Sequence, residues 1–114
     1  VRTVHVYNGP KLLDSFGLFF KINNQSVLIT TDTQFNLLTL KNYYERADII
    51  FHDCEIKPTK SNVHAHFTEL CTLEPEIRQK MWLYHYEPFT LPDAKRFGFK
   101  GFVTKGQSFN LVAP

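Results

Sequence analysis

The order of apolar and polar positions divides the chain into an extended N-terminal third and a region where strands and helices alternate. Three extended segments fill the first thirty residues: Arg2–Tyr7, Ser15–Ile22 and Ser26–Thr31. They are rich in Val, Ile and Phe and are separated by "NGPK" and "NNQ", whose Asn-Gly-Pro and Asn-Asn steps form turns, so antiparallel strands are expected. The period then changes. Leu37, Leu40, Tyr44 and Ala47 fall at i, i+3, i+7 and i+10, one face of a helix of about 10 residues. "DIIFHD" follows as a short apolar strand. "HFTELCTL" has helical spacing through Phe67, Leu70 and Cys71, and "EPEIRQK" restarts a helix with Pro75 near its first turn. "MWLYHYE" is the next strand, Pro92 opens and Gly98 closes a short helix, and "GFVTK" is the last strand. Short apolar strands alternating with amphipathic helices predict an α/β layered body with helices covering the strands.

At 114 residues the chain fits one domain, and 43% hydrophobic residues with eleven phenylalanines argue for a folded core. The net charge of +2 comes from scattered lysines, so no nucleic-acid footprint stands out. Cys54 and Cys71 form neither a CxxC pair nor a disulfide framework, which favours a reducing, cytoplasmic setting. No apolar run approaches the roughly 20 residues that cross a bilayer. The start at Val1 points to a longer parent chain.

Three strands run into polar residues that are costly to bury alone: Asp32 after "VLITT", His52-Asp53-Cys54-Glu55 after "DIIF", and His85 in "WLYHYE". In layered α/β proteins the carboxyl ends of neighbouring strands share an edge where ligands bind, so these groups are expected to converge. Carboxylates and imidazoles suit zinc, manganese or iron, and one carboxylate can bridge two such ions. The hydroxyls of Thr31 and Thr33 could steady Asp32. Asp32 could equally cap the helix that follows "TDTQFNLL", and His85 could be an ordinary strand histidine. His64 and His66 sit at i, i+2 and so point opposite ways on a strand, which admits only one of them to a given site. Cys54 lies among acids that raise a thiol pKa, a poor setting for a nucleophile.

In order, "TTDTQF", "ADIIFHDCE", "VHAHFTEL", "KMWLYHYEP" and "FGFKGFVTKGQSF" resemble the C-terminal half of a metallo-β-lactamase-fold hydrolase, nearest the phosphodiesterase and tRNase Z branch. The resemblance covers residues 1–114. It implies half of a four-layered αββα fold, a mixed sheet with covering helices. It also implies a metal-dependent enzyme cleaving a phosphodiester of nucleotide or nucleic-acid type with a metal-bound hydroxide; the alternative is an inactive half-domain that binds or dimerises. Asp32 matches a metal-bridging aspartate, with Thr31 where glycine is usual, and His85 matches a late metal ligand. His64 matches a histidine that protonates a leaving oxygen, oriented by Asp53, with Glu55 and Glu69 as alternatives for that role. His66 and His5 are substrate-binding candidates. The family's HxHxDH cluster is absent, so the two expected divalent ions, zinc first and manganese or iron next, would take most ligands from outside this chain. Expected partners are an ester or nucleotide substrate and either the missing N-terminal half or a second copy, with no membrane.

Overall fold

The computed structural model describes residues 2–7, 11–85 and 87–111, with side chains from Ser15 onward. Strands β1 (Arg2–Tyr7) and β2 (Lys11–Phe16) pair antiparallel as a small sheet of their own. The main sheet has five strands in the order β3 (Leu18–Ile22), β4 (Gln25–Ile29), β5 (Ile49–Asp53), β6 (Met81–Tyr84) and β7 (Gly101–Phe102). β3 is antiparallel to β4, and every other pair is parallel. The fold is therefore α/β, a mixed sheet with a few helices, as the alternation of elements predicts.

Each parallel step is made through helical chain. α1 (Leu37–Arg46) links β4 to β5, single-turn α2 (Phe67–Leu70) and α3 (Pro75–Arg78) lie between β5 and β6, and a 3₁₀ turn (Ala94–Phe97) precedes β7. The cap of α1 is Asn36, whose side chain accepts from Thr39 N at 3.0 Å, not Asp32. At the other end Lys80 Nζ donates to the carbonyls of Tyr44 and Ala47, at 3.0 and 2.9 Å, placing a cation where helix carbonyls are left over. Leu40 and Tyr44 of α1, Leu70 of α2, Ile77 of α3 and Ala94 join Leu28, Ile50 and Leu83 of the sheet in one buried cluster. Burying each large apolar side chain there stabilises the fold by roughly 1.5–3 kcal/mol.

Several boundaries differ from the sequence reading, each for a local reason. The segment Ser15–Ile22 is not one strand: it breaks at Gly17, and β2 and β3 belong to different sheets. A Cβ at Gly17 would lie 2.6 Å from the Ile29 carbonyl oxygen, so the chain can turn off there only without a side chain. The strand expected to reach Thr31 stops at Ile29, because Thr31 has φ +55° and cannot continue a pleated strand. β6 ends at Tyr84, leaving His85 just beyond it, and the last strand has two residues rather than five. The "NGPK" turn expectation reaches into residues 8–10, outside the described part.

Because β4, β5 and β6 run parallel and side by side, their C-terminal ends share one edge of the sheet. Asp32, Asp53 and His85 follow or close those three strands.

Candidate functional site

Asp53, the last residue of β5, is 1% exposed and is held on several sides. Its backbone N–H donates to Thr30 Oγ1 at 2.9 Å, and its Oδ2 accepts from Thr33 N at 3.1 Å. The same Oδ2 meets His64 Nδ1 at 2.5 Å. Among the described residues its other oxygen, Oδ1, is buried with no hydrogen-bond partner. Asp32 completes the group: one ligand-capable atom from each of Asp32, Asp53 and His64 lies within 4.8 Å of the others.

The hydrogen bond to Asp53 is the main reason the His64 pKa is raised, with the charges of Asp53 and Asp32 adding to it; partial burial opposes them. His64 therefore keeps its proton to higher pH than a free imidazole. It also borders two hollows. One, of about 180 Å³, is lined by Asp53, Cys54, Glu55, Lys57, His64 and Glu87; the other, of about 170 Å³, by Gln34, Phe35, Asn62, His64 and Glu69. Glu87 Oε2 is a second buried carboxylate oxygen without a partner among the described residues, in the lining of the first hollow.

The other candidates lie as follows. Glu55 Oε2 accepts from Ser61 N, and Glu69 Oε1 accepts from His66 N, so Asp53 is the carboxylate that touches His64. Both ring nitrogens of His66 are engaged in local structure. Nε2 meets the Lys57 carbonyl at 2.7 Å, which leaves Nδ1 to accept from Thr68 at the start of α2. His85 stands outside the three-residue group; its Nδ1 donates to the Glu87 carbonyl at 3.0 Å, so its Nε2 carries the lone pair. His5 lies in β1 opposite Leu13, and its side chain is outside the described part. Burial, more than the neighbouring acids, pushes the Cys54 thiol well above its ordinary pKa.

His52 is expected at the shared edge with Asp53 but turns instead toward α1, and Tyr84 has no role in the sequence analysis. His52 is fully buried; its Nδ1 meets the Asp53 carbonyl at 2.7 Å and its Nε2 meets Tyr44 Oη at 2.6 Å. Tyr84 Oη donates to the Thr31 carbonyl at 2.9 Å, tying the end of β6 to the turn after β4. The signal for Tyr84 was its place beside His85 at a strand end, which period alone does not distinguish from packing.

The family described as "Anti-Pycsar protein Apyc1" matches residues 1–109. A curated relative of the same description, from Paenibacillus harenae, is 33% identical over 85 residues, which is 74% of this chain and 32% of the relative. The chain thus spans about a third of the length of the curated relative it matches. These matches overturn the expected assignment to the metallo-β-lactamase-fold hydrolases, and with it the expected function as a metal-dependent phosphodiesterase. The motifs behind that expectation are a few residues each, an acid after a strand and an imidazole beside an acid. Chemistry of that kind suits many strand-edge sites, so it described the groups present without fixing the family.

Proposed function

The chain belongs to the Anti-Pycsar protein Apyc1 family, and on that premise we propose that it is part of a protein that antagonises cyclic-nucleotide signalling by acting on the nucleotide itself. The observation that carries the proposal is the Asp53–His64 contact of 2.5 Å with Asp32 beside it. A cyclic nucleotide offers one charged group, its phosphate. A proton-bearing imidazole on the rim of a hollow supplies both positive charge and a transferable proton to such a group. In this reading the protein is an enzyme, His64 is the proton-carrying group and Asp53 orients it and holds it protonated.

Two divalent cations are proposed as cofactors; what supports them is the chemistry of the donors near the shared sheet edge, carboxylates and imidazole. Asp53 Oδ1 is buried and has no partner among the described residues, a condition that a cation, a proton or a water relieves. Asp32 and the Nε2 of His85 are the donors this chain would offer, matching zinc, manganese or iron, and the other ligands would come from the rest of the parent protein. Bound there, such ions supply charge stabilisation at a phosphate. His5 remains a proposal for contact with the nucleotide's other parts, whereas His66, with both ring nitrogens engaged at the start of α2, does not. The matched length of the relative supports a further proposal, that this chain is one sheet-and-helix half of a larger layered domain. Leu18, Phe20 and Ile22 of β3, all exposed, would then be covered by the remainder of the protein or by a second copy. No helix among the described residues is long and apolar enough to cross a membrane. Free Cys54 and Cys71 fit a proposed cytoplasmic location.

The test is depletion of free nucleotide. Full-length protein is incubated with a panel of 3′,5′-cyclic nucleotides and the free concentration is followed by chromatography. Wild type should deplete at least one of them, and His64→Ala and Asp53→Asn should slow depletion about 100-fold or more. Undiminished depletion by both folded variants would overturn the proposal.

A further inference from the structure

Thr31 has φ +55°, a left-handed conformation that a β-branched residue seldom adopts, directly before Asp32. Such a bend persists only where surrounding contacts impose it. Here the Thr31 carbonyl accepts two hydroxyls, Tyr84 Oη at 2.9 Å and Thr30 Oγ1 at 3.0 Å. Those hydroxyl oxygens are themselves 3.3 Å apart. On the other side of the bend Thr31 Oγ1 donates to the Phe16 carbonyl at 2.7 Å, and Ser15 Oγ donates to the Asp32 carbonyl at 2.9 Å. Thr30 Oγ1 also accepts the backbone N–H of Asp53, so one hydroxyl bonds the carbonyl before Asp32 and the amide of Asp53.

We propose that Tyr84 is a positioning residue for the site: its hydroxyl holds the Thr31–Asp32 peptide in the left-handed bend and so aims the Asp32 carboxylate at the Asp53–His64 pair. The inference rests on the reading that Asp32 works at that site. Tyr84 reaches the bend from two strands away because β4, β5 and β6 end at the same edge. A side chain on β6 can thus set the geometry of a residue after β4. Thr30 and Tyr84 share the carbonyl, but Thr30 also bonds Asp53 directly, so Tyr84 is the member whose removal acts first on the bend.

The experiment uses the full-length protein and compares Tyr84→Phe, Tyr84→Phe with Thr31→Gly, and Asp32→Asn by cyclic-nucleotide depletion, with thermal unfolding run in parallel. Tyr84→Phe should lower kcat roughly 10- to 100-fold with KM changed less than about threefold, because misplacing a working group costs rate before binding. Glycine takes left-handed φ without penalty, so adding Thr31→Gly should return kcat to within about fivefold of wild type. A role in packing alone would not be rescued by a change at residue 31. Wild-type kcat in Tyr84→Phe while Asp32→Asn is impaired would overturn this inference alone. Undiminished depletion by Asp32→Asn would overturn the underlying reading of Asp32 as well. Loss in Tyr84→Phe without rescue by glycine would overturn the positioning role in favour of a structural one.

Discussion

The buried imidazole of His52 should make the protein lose stability as the medium is acidified, by an amount the structure sets. Nδ1 faces a carbonyl, which can only accept, so Nδ1 carries the hydrogen and Nε2 accepts the Tyr44 hydroxyl proton. A second proton on Nε2 would put a positive charge in a site of zero exposure and remove that acceptor. Burial accordingly pushes the His52 pKa down from 6.5 to about 4, against the Asp53 carbonyl and charge that favour protonation. The sign follows from proton counting. Between those values the unfolded chain binds a proton that the folded one refuses, so stability rises with pH through the window and falls as pH drops from about 6.5 toward 4. At about 1.4 kcal/mol per pH unit the full window is worth roughly 3 kcal/mol, and roughly 2 kcal/mol of it is lost between pH 6.5 and pH 5. The assay is urea unfolding of wild type and His52→Gln at pH 7.5 and pH 5. Other groups titrate in both proteins, so the difference between the two pH-induced changes isolates His52. Wild type should lose about 2 kcal/mol more than the variant on acidification. Changes that agree within about 0.5 kcal/mol would refute a neutral, desolvated His52.

His64 has its pKa raised, chiefly by the Asp53 hydrogen bond, so its contribution has the opposite slope: it is complete below about pH 6.5 and fades as pH rises through the raised folded value. Unfolding of wild type against His64→Gln between pH 6 and pH 9 should show the wild-type advantage shrinking with pH, and a constant gap would contradict the pairing. Gly17→Ala should destabilise by about 1–3 kcal/mol, since the new Cβ would sit 2.6 Å from a backbone oxygen that cannot swing away. An unchanged melting temperature would show that the chain turns between its two sheets in some other way.

The helix at Leu37–Arg46 was legible because Leu40, Tyr44 and Ala47 repeat at the helical period and are buried together. Asp32, Asp53 and His64 were legible as residue types at strand ends and in the loop that follows β5, and parallel neighbouring strands are what gather them. The break at Gly17 was not, because a strand that changes sheet keeps its apolar content and only the approach of the Ile29 carbonyl reveals the turn. Nor was the side of the strand on which His52 lies: an imidazole reads as polar in the sequence, yet a tyrosine hydroxyl from α1 lets it rest in the apolar layer. Helical spacing near Phe67 and Pro75 extends past the single turns that form there, since period alone does not say where the backbone bonds stop. The family was misread because short acid and imidazole motifs report what a site contains, whereas the match over residues 1–109 reflects the whole chain.

His52 and Asp53 are consecutive, and alternation along β5 sends one into an apolar interior and the other to a charged rim. Deleting or inserting a single residue upstream in that strand would exchange their destinations, driving a carboxylate into the apolar layer and carrying the tyrosine-bound ring to the buried place of Asp53 beside His64. Two adjacent codons thus act as a lock on alignment. A misthreaded chain would suffer in stability and in chemistry at once, so errors of pairing in this strand should be eliminated during folding and not persist as partly active forms.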